Sequence, residues 1–104
     1  MNWKILVVGP HAEILETVVR LLNQIPGWQA RGVADAISAL EQISALRYDL
    51  VLLSSGLDPQ AEQSIRKAAS VLVPAVPVVQ HYGGGSGLLV GEVRAALEQG
   101  QVLL

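Results

Sequence analysis

The residues best suited to chemistry are two serines and two histidines, each placed after an apolar run. Ser54 and Ser55 follow the third such run, His11 follows the first and His81 the fourth. If the runs are parallel strands, their carboxyl ends meet at one sheet edge, where a histidine base could reach a serine hydroxyl. The only orienting acid nearby is Asp58, and the Gly-x-Ser-x-Gly elbow is absent. We predict no catalytic residue, and favour a polar strand end that hydrogen-bonds locally.

The same histidines do not make a convincing metal site. His11 and His81 lack a third ligand and any spacing known from zinc sites, and the chain has no cysteine. We therefore predict no metal and no cofactor.

A glycine-rich segment follows His81 and Tyr82. Backbone amides at a helix N-terminus attract anions, but this segment has no lysine, as a P-loop would require. Leu88 stands where the third glycine of a dinucleotide motif should be. A mobile surface loop is expected, although Ser86 could cap a following helix. The candidate loop for a ligand or partner comprises Ser55, Gly83, Gly84, Gly85, Ser86 and Gly87.

Composition indicates one domain spanning residues 1–104. About half of the residues are hydrophobic, 51%, and the net charge is -2. No run of lysine or arginine is present, so nucleic-acid binding is not expected. The apolar run near the N-terminus is too short to span a membrane and lacks the layout of a signal peptide. We predict a cytoplasmic protein that does not bind membranes.

The apolar pattern predicts alternating strands and helices, which favours a parallel sheet with helices on both faces. In the second helix, Ile37, Leu40 and Ile43 are expected to face the sheet, and Gly100 is expected to end the fourth helix. Trp28 is expected near a sheet edge, in core or rim packing, with a binding hot spot as the rarer alternative. The predicted strands are 5–8, 28–33, 50–53, 76–80 and 102–104; the predicted helices are 11–24, 35–45, one beginning at 58–59, and one ending near 100.

Several segments in this order resemble the receiver domain of bacterial two-component response regulators. Residues 4–8 (KILVV) resemble its first strand, 34–40 (ADAISAL) its second helix, and 48–53 (YDLVLL) the run before the phosphoacceptor. Residues 93–100 (VRAALEQG) resemble its fourth helix with the glycine that ends it. The resemblance implies a flavodoxin-like α/β fold: a three-layer αβα sandwich around a five-stranded parallel sheet of order 2-1-3-4-5.

The functional positions depart from that family. Gly9 and Pro10 stand where a receiver has two acidic magnesium ligands, and Ser54 stands at the phosphoacceptor position. The hydroxyl switch position maps to His81 or Tyr82, and neither the family's lysine nor its fifth helix has a counterpart. The resemblance therefore implies a degenerate phosphorylation pocket comprising Gly9, Pro10, His11, Ser54, His81 and Tyr82.

These departures predict a pseudo-receiver: a non-catalytic module that contacts proteins in bacterial signal transduction without aspartyl phosphorylation. The alternative is a regulatory domain that binds a small molecule or nucleotide at the carboxyl edge of the sheet. In a complete receiver the fifth helix covers the sheet beside the first strand. Its absence predicts an apolar face that pairs with a partner protein or a second copy of the chain.

Overall fold

Strands and helices alternate through residues 2–72, 75–81 and 86–102, the part of the chain that the computed structural model describes; the side chains of 86–88 and 99–102 are not included. For those of the first seven elements whose start and end were both predicted, each end lies within two residues of the prediction. The elements are β1 (Trp3–Val8), α1 (Ala12–Asn23), β2 (Trp28–Val33), α2 (Ala36–Ala45), β3 (Leu50–Leu53), α3 (Pro59–Ser70), β4 (Val78–Gln80) and α4 (Ser86–Val102).

The strands form a parallel sheet of order β2-β1-β3-β4. In the register, Ile5 of β1 lies beside Ala30 of β2 and Leu50 of β3. β1 and β3 occupy the centre and are the most apolar strands, as expected for strands buried on both faces. The described residues thus form the α/β flavodoxin-like arrangement with four strands.

Each face of the sheet carries two helices. α1 and α4 cover one face, where the buried core is Ile5, Val7, Val18, Leu22, Trp28, Leu50, Leu52, Leu89, Val93, Ala96 and Leu97. α2 and α3 cover the other, where the buried core is Leu6, Val8, Ala39, Ile43, Tyr48, Val51, Leu53, Ile65, Ala69 and Val76. Alternate residues of β1 and β3 therefore enter opposite cores, as the strand period requires.

The predicted fourth helix is present with its buried Leu89, Val93, Ala96 and Leu97, but its predicted end and the strand predicted after it are wrong. Val102 was expected in a fifth strand, but α4 continues past Gly100 and includes Val102; residues 103 and 104 lie outside the described part. A helix satisfies its backbone hydrogen bonds internally, whereas a strand needs a neighbouring edge, so a short apolar run suits either element.

The expected uncovered face is also absent from the described structure. α4 covers the face that the resemblance assigns to a fifth helix, and Leu89 and Val93 pack there. Ile5 and Val7 of β1 are consequently 0% exposed. The apolar surface on which the predicted pairing depended is therefore buried within the described chain, and this face gives no support for pairing with a partner or a second copy.

Two aspartates fix the starts of the helices on the other face. Asp35 Oδ1 accepts the Ser38 backbone N–H at 2.8 Å, and Asp58 Oδ1 accepts that of Ala61 at 2.8 Å. The inward face of α2 holds Ile43 as predicted, but Ile37 is 72% exposed. The prediction for Ile37 is wrong because the inward face of α2 is formed by positions 36, 39, 40 and 43. Position 37 lies beside this stripe, on the solvent side of the helix.

Among the described helices, none has the length and apolar character needed to cross a membrane.

Candidate functional site

Three predicted site residues meet at the carboxyl edge of the sheet. Gly9 follows β1, Ser54 follows β3 and His81 follows β4. The ladder places them beside one another: the Ser54 N–H donates to Val8 O at 2.9 Å, and the His81 N–H donates to Leu53 O at 2.8 Å. Parallel strands bring their carboxyl ends to one edge, so this part of the prediction follows from topology.

Gly9 and Ser54 are packed directly against each other. A Cβ on Gly9 would overlap Ser54 Oγ and would lie 3.2 Å from Ser54 Cβ. Ser54 is only 1% exposed. Its hydroxyl has no hydrogen-bond partner among the described residues, and neither histidine is positioned as a base for it. The Ser–His pair considered from the sequence is therefore not formed, nor is the local hydrogen bond that we favoured.

The loop after β3 turns back beneath the start of α1. Gly56 has φ +102°, a left-handed conformation that favours glycine. A Cβ there would lie 2.6 Å from His11 Nε2 and 3.1 Å from Pro10. His11 itself is exposed and occupies the N-cap of α1, but its side chain makes no capping hydrogen bond. The contact of Gly9 with Ser54 and the contacts of Gly56 with Pro10 and His11 together form a packed corner at this edge, in which Pro10 and His11 remain exposed.

His81 lies at the end of β4 and is buried. It is only 7% exposed. Its Nδ1 lies 3.3 Å from Oε2 of Glu92 on α4. The contact of Glu92 with His81 was not predicted from the sequence. The pattern of apolar residues in a helix shows which side of the helix is buried but not which strand its polar residues approach.

The described carboxyl edge offers no set of acidic ligands. The nearby acidic groups have other contacts: Asp58 caps α3, and Glu92 contacts His81. Within the described ranges, no group of three histidine, aspartate or glutamate side chains could hold a metal ion. Hard divalent cations require several oxygen ligands, which Gly9 and Pro10 cannot supply from side chains.

The glycine-rich segment can be placed only in part. Tyr82, Gly83, Gly84 and Gly85 lie outside the described residues. The predicted loop residues 86 and 87 instead begin α4. Ser55 is exposed in the turn after Ser54. Among functional positions, Gly56 was also missed, although a glycine after a serine pair at a strand end is a recognisable turn signal.

Comparison with known proteins identifies the architecture. No family model matches the chain, and no curated protein matches it. Among solved structures, the signal receiver domain of an HD domain-containing protein from Pseudomonas fluorescens Pf-5 superposes with TM-score 0.79 at 17% identity, covering 97% of this chain and 98% of that one. The chain has the receiver-domain fold.

Further receiver-fold structures support the same assignment. A two-component response regulator from Clostridium difficile matches with TM-score 0.72 at 16% identity, covering 94% of this chain and 98% of that chain. TrrA of Thermotoga maritima, a response regulator in complex with Mg²⁺ and beryllofluoride, matches with TM-score 0.67 at 21% identity, covering 92% and 99%. At these identities the likeness shows the fold.

Proposed function

We propose that this receiver-fold chain is a pseudo-receiver, a cytoplasmic module that acts in bacterial signal transduction by contacting another protein without aspartyl phosphorylation. The observation that carries the proposal is the packed corner at the carboxyl edge. Gly9 and Pro10 follow β1 and Ser54 follows β3; by the resemblance, these are the positions where a receiver holds magnesium and accepts the phosphoryl group. We assign the module to residues 1–104 and assign no catalytic residue to it.

The chemistry of aspartyl phosphorylation explains why this corner is unsuited to it. The reaction needs a carboxylate nucleophile, a divalent cation to neutralise the phosphoryl oxygens, and a cation to hold the product. Gly9 and Pro10 have no ligand atoms in their side chains, and the Ser54 hydroxyl is buried against Gly9. The TrrA structure contains Mg²⁺ and beryllofluoride; the corner described here supplies no comparable carboxylates.

The outer edge of β4, whose three residues are partly exposed, is the surface that we assign to the partner. β4 is the last strand of the described sheet, and its side toward β3 is used by bonds such as Val51 N–H to Pro77 O. On the outer side, Arg66 Nη1 donates to Val78 O at 3.2 Å. Edge strands present unpaired backbone groups that a partner polypeptide can bind. This surface replaces the apolar face predicted from the sequence.

Incubation with magnesium and acetyl phosphate, followed by intact-mass measurement, tests the absence of phosphorylation. The protein is expected to gain no phosphoryl group, while a receiver with a complete acidic pocket, treated in parallel, gains one. A Ser54→Asp variant restores only the nucleophile and is also expected to stay unmodified, because the cation ligands are still missing. Stoichiometric phosphorylation of the unaltered chain would refute the proposal.

One observation favours a second function, the binding of a small molecule or nucleotide at the same edge. The buried Ser54 Oγ lacks a hydrogen-bond partner within the described structure, and such a group is costly unless something satisfies it. Gly9, Ser54 and Ser55 would line the site. A thermal-shift panel of nucleotides decides: stabilisation by one member that Ser54→Ala abolishes supports this function, and no stabilisation by any member counts against it.

A further inference from the structure

A second concave site lies at the opposite, amino-terminal edge of the sheet. α2 ends at Ala45 and leaves the beginning of β1 and β2 uncovered on that face. The resulting pocket has a volume of about 170 Å³. Its lining comprises Lys4, Gln29, Ala30, Arg31, Leu46 and Tyr48. None of these residues belongs to the candidate site at the carboxyl edge.

The strand register places two cations on the same side of the sheet. Lys4 pairs with Gln29, and Leu6 pairs with Arg31. Because side chains alternate along a strand, Lys4 and Leu6 share a face, and Arg31 therefore shares it with Lys4. The two positive side chains are diagonal neighbours on adjacent strands, where like charges repel each other.

Neither cation forms an ion pair with a described carboxylate. The described residues form two ion pairs, Glu62–Arg66 and His81–Glu92, and neither includes Lys4 or Arg31. Asp49, the adjacent carboxylate, accepts the Lys4 backbone N–H at 2.8 Å and is not part of the lining. Unpaired cations that share a concave surface favour the approach of an anion.

Polar contacts leave most of the donors at Arg31 available. Arg31 Nη1 has one long hydrogen bond, 3.5 Å, to Gln42 Oε1. The Tyr48 hydroxyl donates to that same oxygen at 2.7 Å. Burial raises the pKa of Tyr48 while the positive charge of Arg31 lowers it, which is consistent with the guanidinium lying near the phenol. A guanidinium has five N–H donors, so several can face the pocket.

An apolar hollow adjoins this basic pocket. It has a volume of about 260 Å³ and shares Leu46 and Tyr48 with the first pocket. Its other lining residues are mostly apolar, with one further cation: Ile43, Ser44, Ala45, Arg47, Leu72 and Val76. Leu46 is 43% exposed there, which is high for a leucine beside a cavity. The two hollows together offer a charged end and an apolar end.

We propose that these two hollows bind a small phosphate monoester, with its phosphate between Lys4 and Arg31 and its apolar body against Leu46, Leu72 and Val76. A guanidinium can donate two parallel hydrogen bonds to phosphate oxygens, and the lysine ammonium adds a point charge. This site is independent of the proposed function, since neither cation contacts the corner formed by Gly9 and Ser54.

Titration of the isotope-labelled full chain with phenyl phosphate, followed by amide NMR, tests the proposal. Saturable shifts are expected at Lys4, Arg31 and Tyr48, with a Kd of about 1 mM or tighter. Inorganic phosphate is expected to bind the same amides several-fold more weakly, because it cannot fill the apolar hollow. Equal affinity for the two probes would overturn the assignment of a monoester.

Variants localise the effect. Arg31→Gln and Lys4→Gln are each expected to weaken phenyl phosphate binding about tenfold, whereas Arg20→Gln, which removes the same charge from α1, leaves it unchanged. Circular dichroism checks that each variant is folded. If Arg31→Gln does not fold, Lys4→Gln alone provides the test. No saturable shift, or equal losses in Lys4→Gln and Arg20→Gln, would overturn the proposal.

Discussion

Gly9 and Ser54 contact each other across two neighbouring strands so closely that position 9 has no room for a Cβ. Under the proposed function, these strand ends are the positions where a phosphorylatable receiver would need carboxylates. An aspartate at position 9 would have to displace the Ser54 side chain before it could reach a cation. The packing of Gly9 against Ser54 thus leaves no space at position 9 for the acidic side chain that the proposal says is missing.

The first prediction concerns this contact. Gly9→Ala is expected to lower the free energy of unfolding by about 1–3 kcal/mol, because the new methyl group overlaps Ser54 Oγ. Urea denaturation measures the change. In a Ser54→Ala background the same substitution should cost less, since the overlapping oxygen is gone and only the Cβ at 3.2 Å remains. An identical cost in both backgrounds would show that the contact is not the cause.

The second prediction concerns the unpartnered hydroxyl. Ser54→Ala is expected to leave the free energy of unfolding unchanged or to raise it by up to about 1 kcal/mol, because a buried polar group without a partner is removed. The exposed neighbour provides a control: Ser55→Ala should have little effect. A loss of stability well above that of Ser55→Ala in chemical denaturation would mean that Ser54 Oγ has a partner in solution.

The third prediction concerns the edge of β4. Arg66→Met should destabilise the protein by about 0.5–1.5 kcal/mol, because the Val78 carbonyl loses its hydrogen bond. Glu62→Gln is the matched control: it weakens only the exposed ion pair with Arg66 at 3.0 Å, which stabilises little. Thermal unfolding compares the two variants. A smaller loss for Arg66→Met than for Glu62→Gln would contradict the role assigned to this arginine.

The fourth prediction concerns the ionisation of Tyr48. Burial raises its pKa above the ordinary value of 10.0, and the charge of Arg31 counteracts part of that rise. Because the folded state favours the neutral phenol, this contribution to stability is complete below the unfolded pKa and is lost as pH rises through the folded pKa.

Arg31→Gln should therefore raise the pKa of Tyr48 further, since the stabilising positive charge is removed. The ultraviolet absorbance of the phenolate reports it in a Tyr82→Phe background, in which Tyr48 is the only tyrosine. An unchanged or lower pKa in Arg31→Gln would place the guanidinium away from the phenol, and would also weaken the case for the basic pocket.

Sequence reasoning recovered the elements more readily than their arrangement. The apolar stripe of α4, with Leu89 and Val93, is visible in the sequence, but it shows which side of the helix is buried and not which face of the sheet it covers. β1 is buried on both faces, so its pattern could not decide either. Only the packing of α4 beside α1 showed that the expected apolar face is covered.

The candidate site was predicted in its location and less well in its contacts. Parallel topology alone brings Gly9, Ser54 and His81 to one edge, so their proximity could be inferred. The burial of His81 depends on Glu92, eleven positions away on a helix whose placement was unknown. The pairing of Lys4 with Gln29, which creates the basic pocket, likewise required the register of β1 against β2.

The most direct test of the central claim is an amide NMR titration of the full chain with magnesium and beryllofluoride. Beryllofluoride with a divalent cation mimics an aspartyl phosphate only where carboxylates hold both. The account predicts that the amides of Gly9, Ser54, Ser55 and His81 do not move, while a phosphorylatable receiver in the same buffer responds. A saturable, magnesium-dependent shift centred on Ser54 would contradict it.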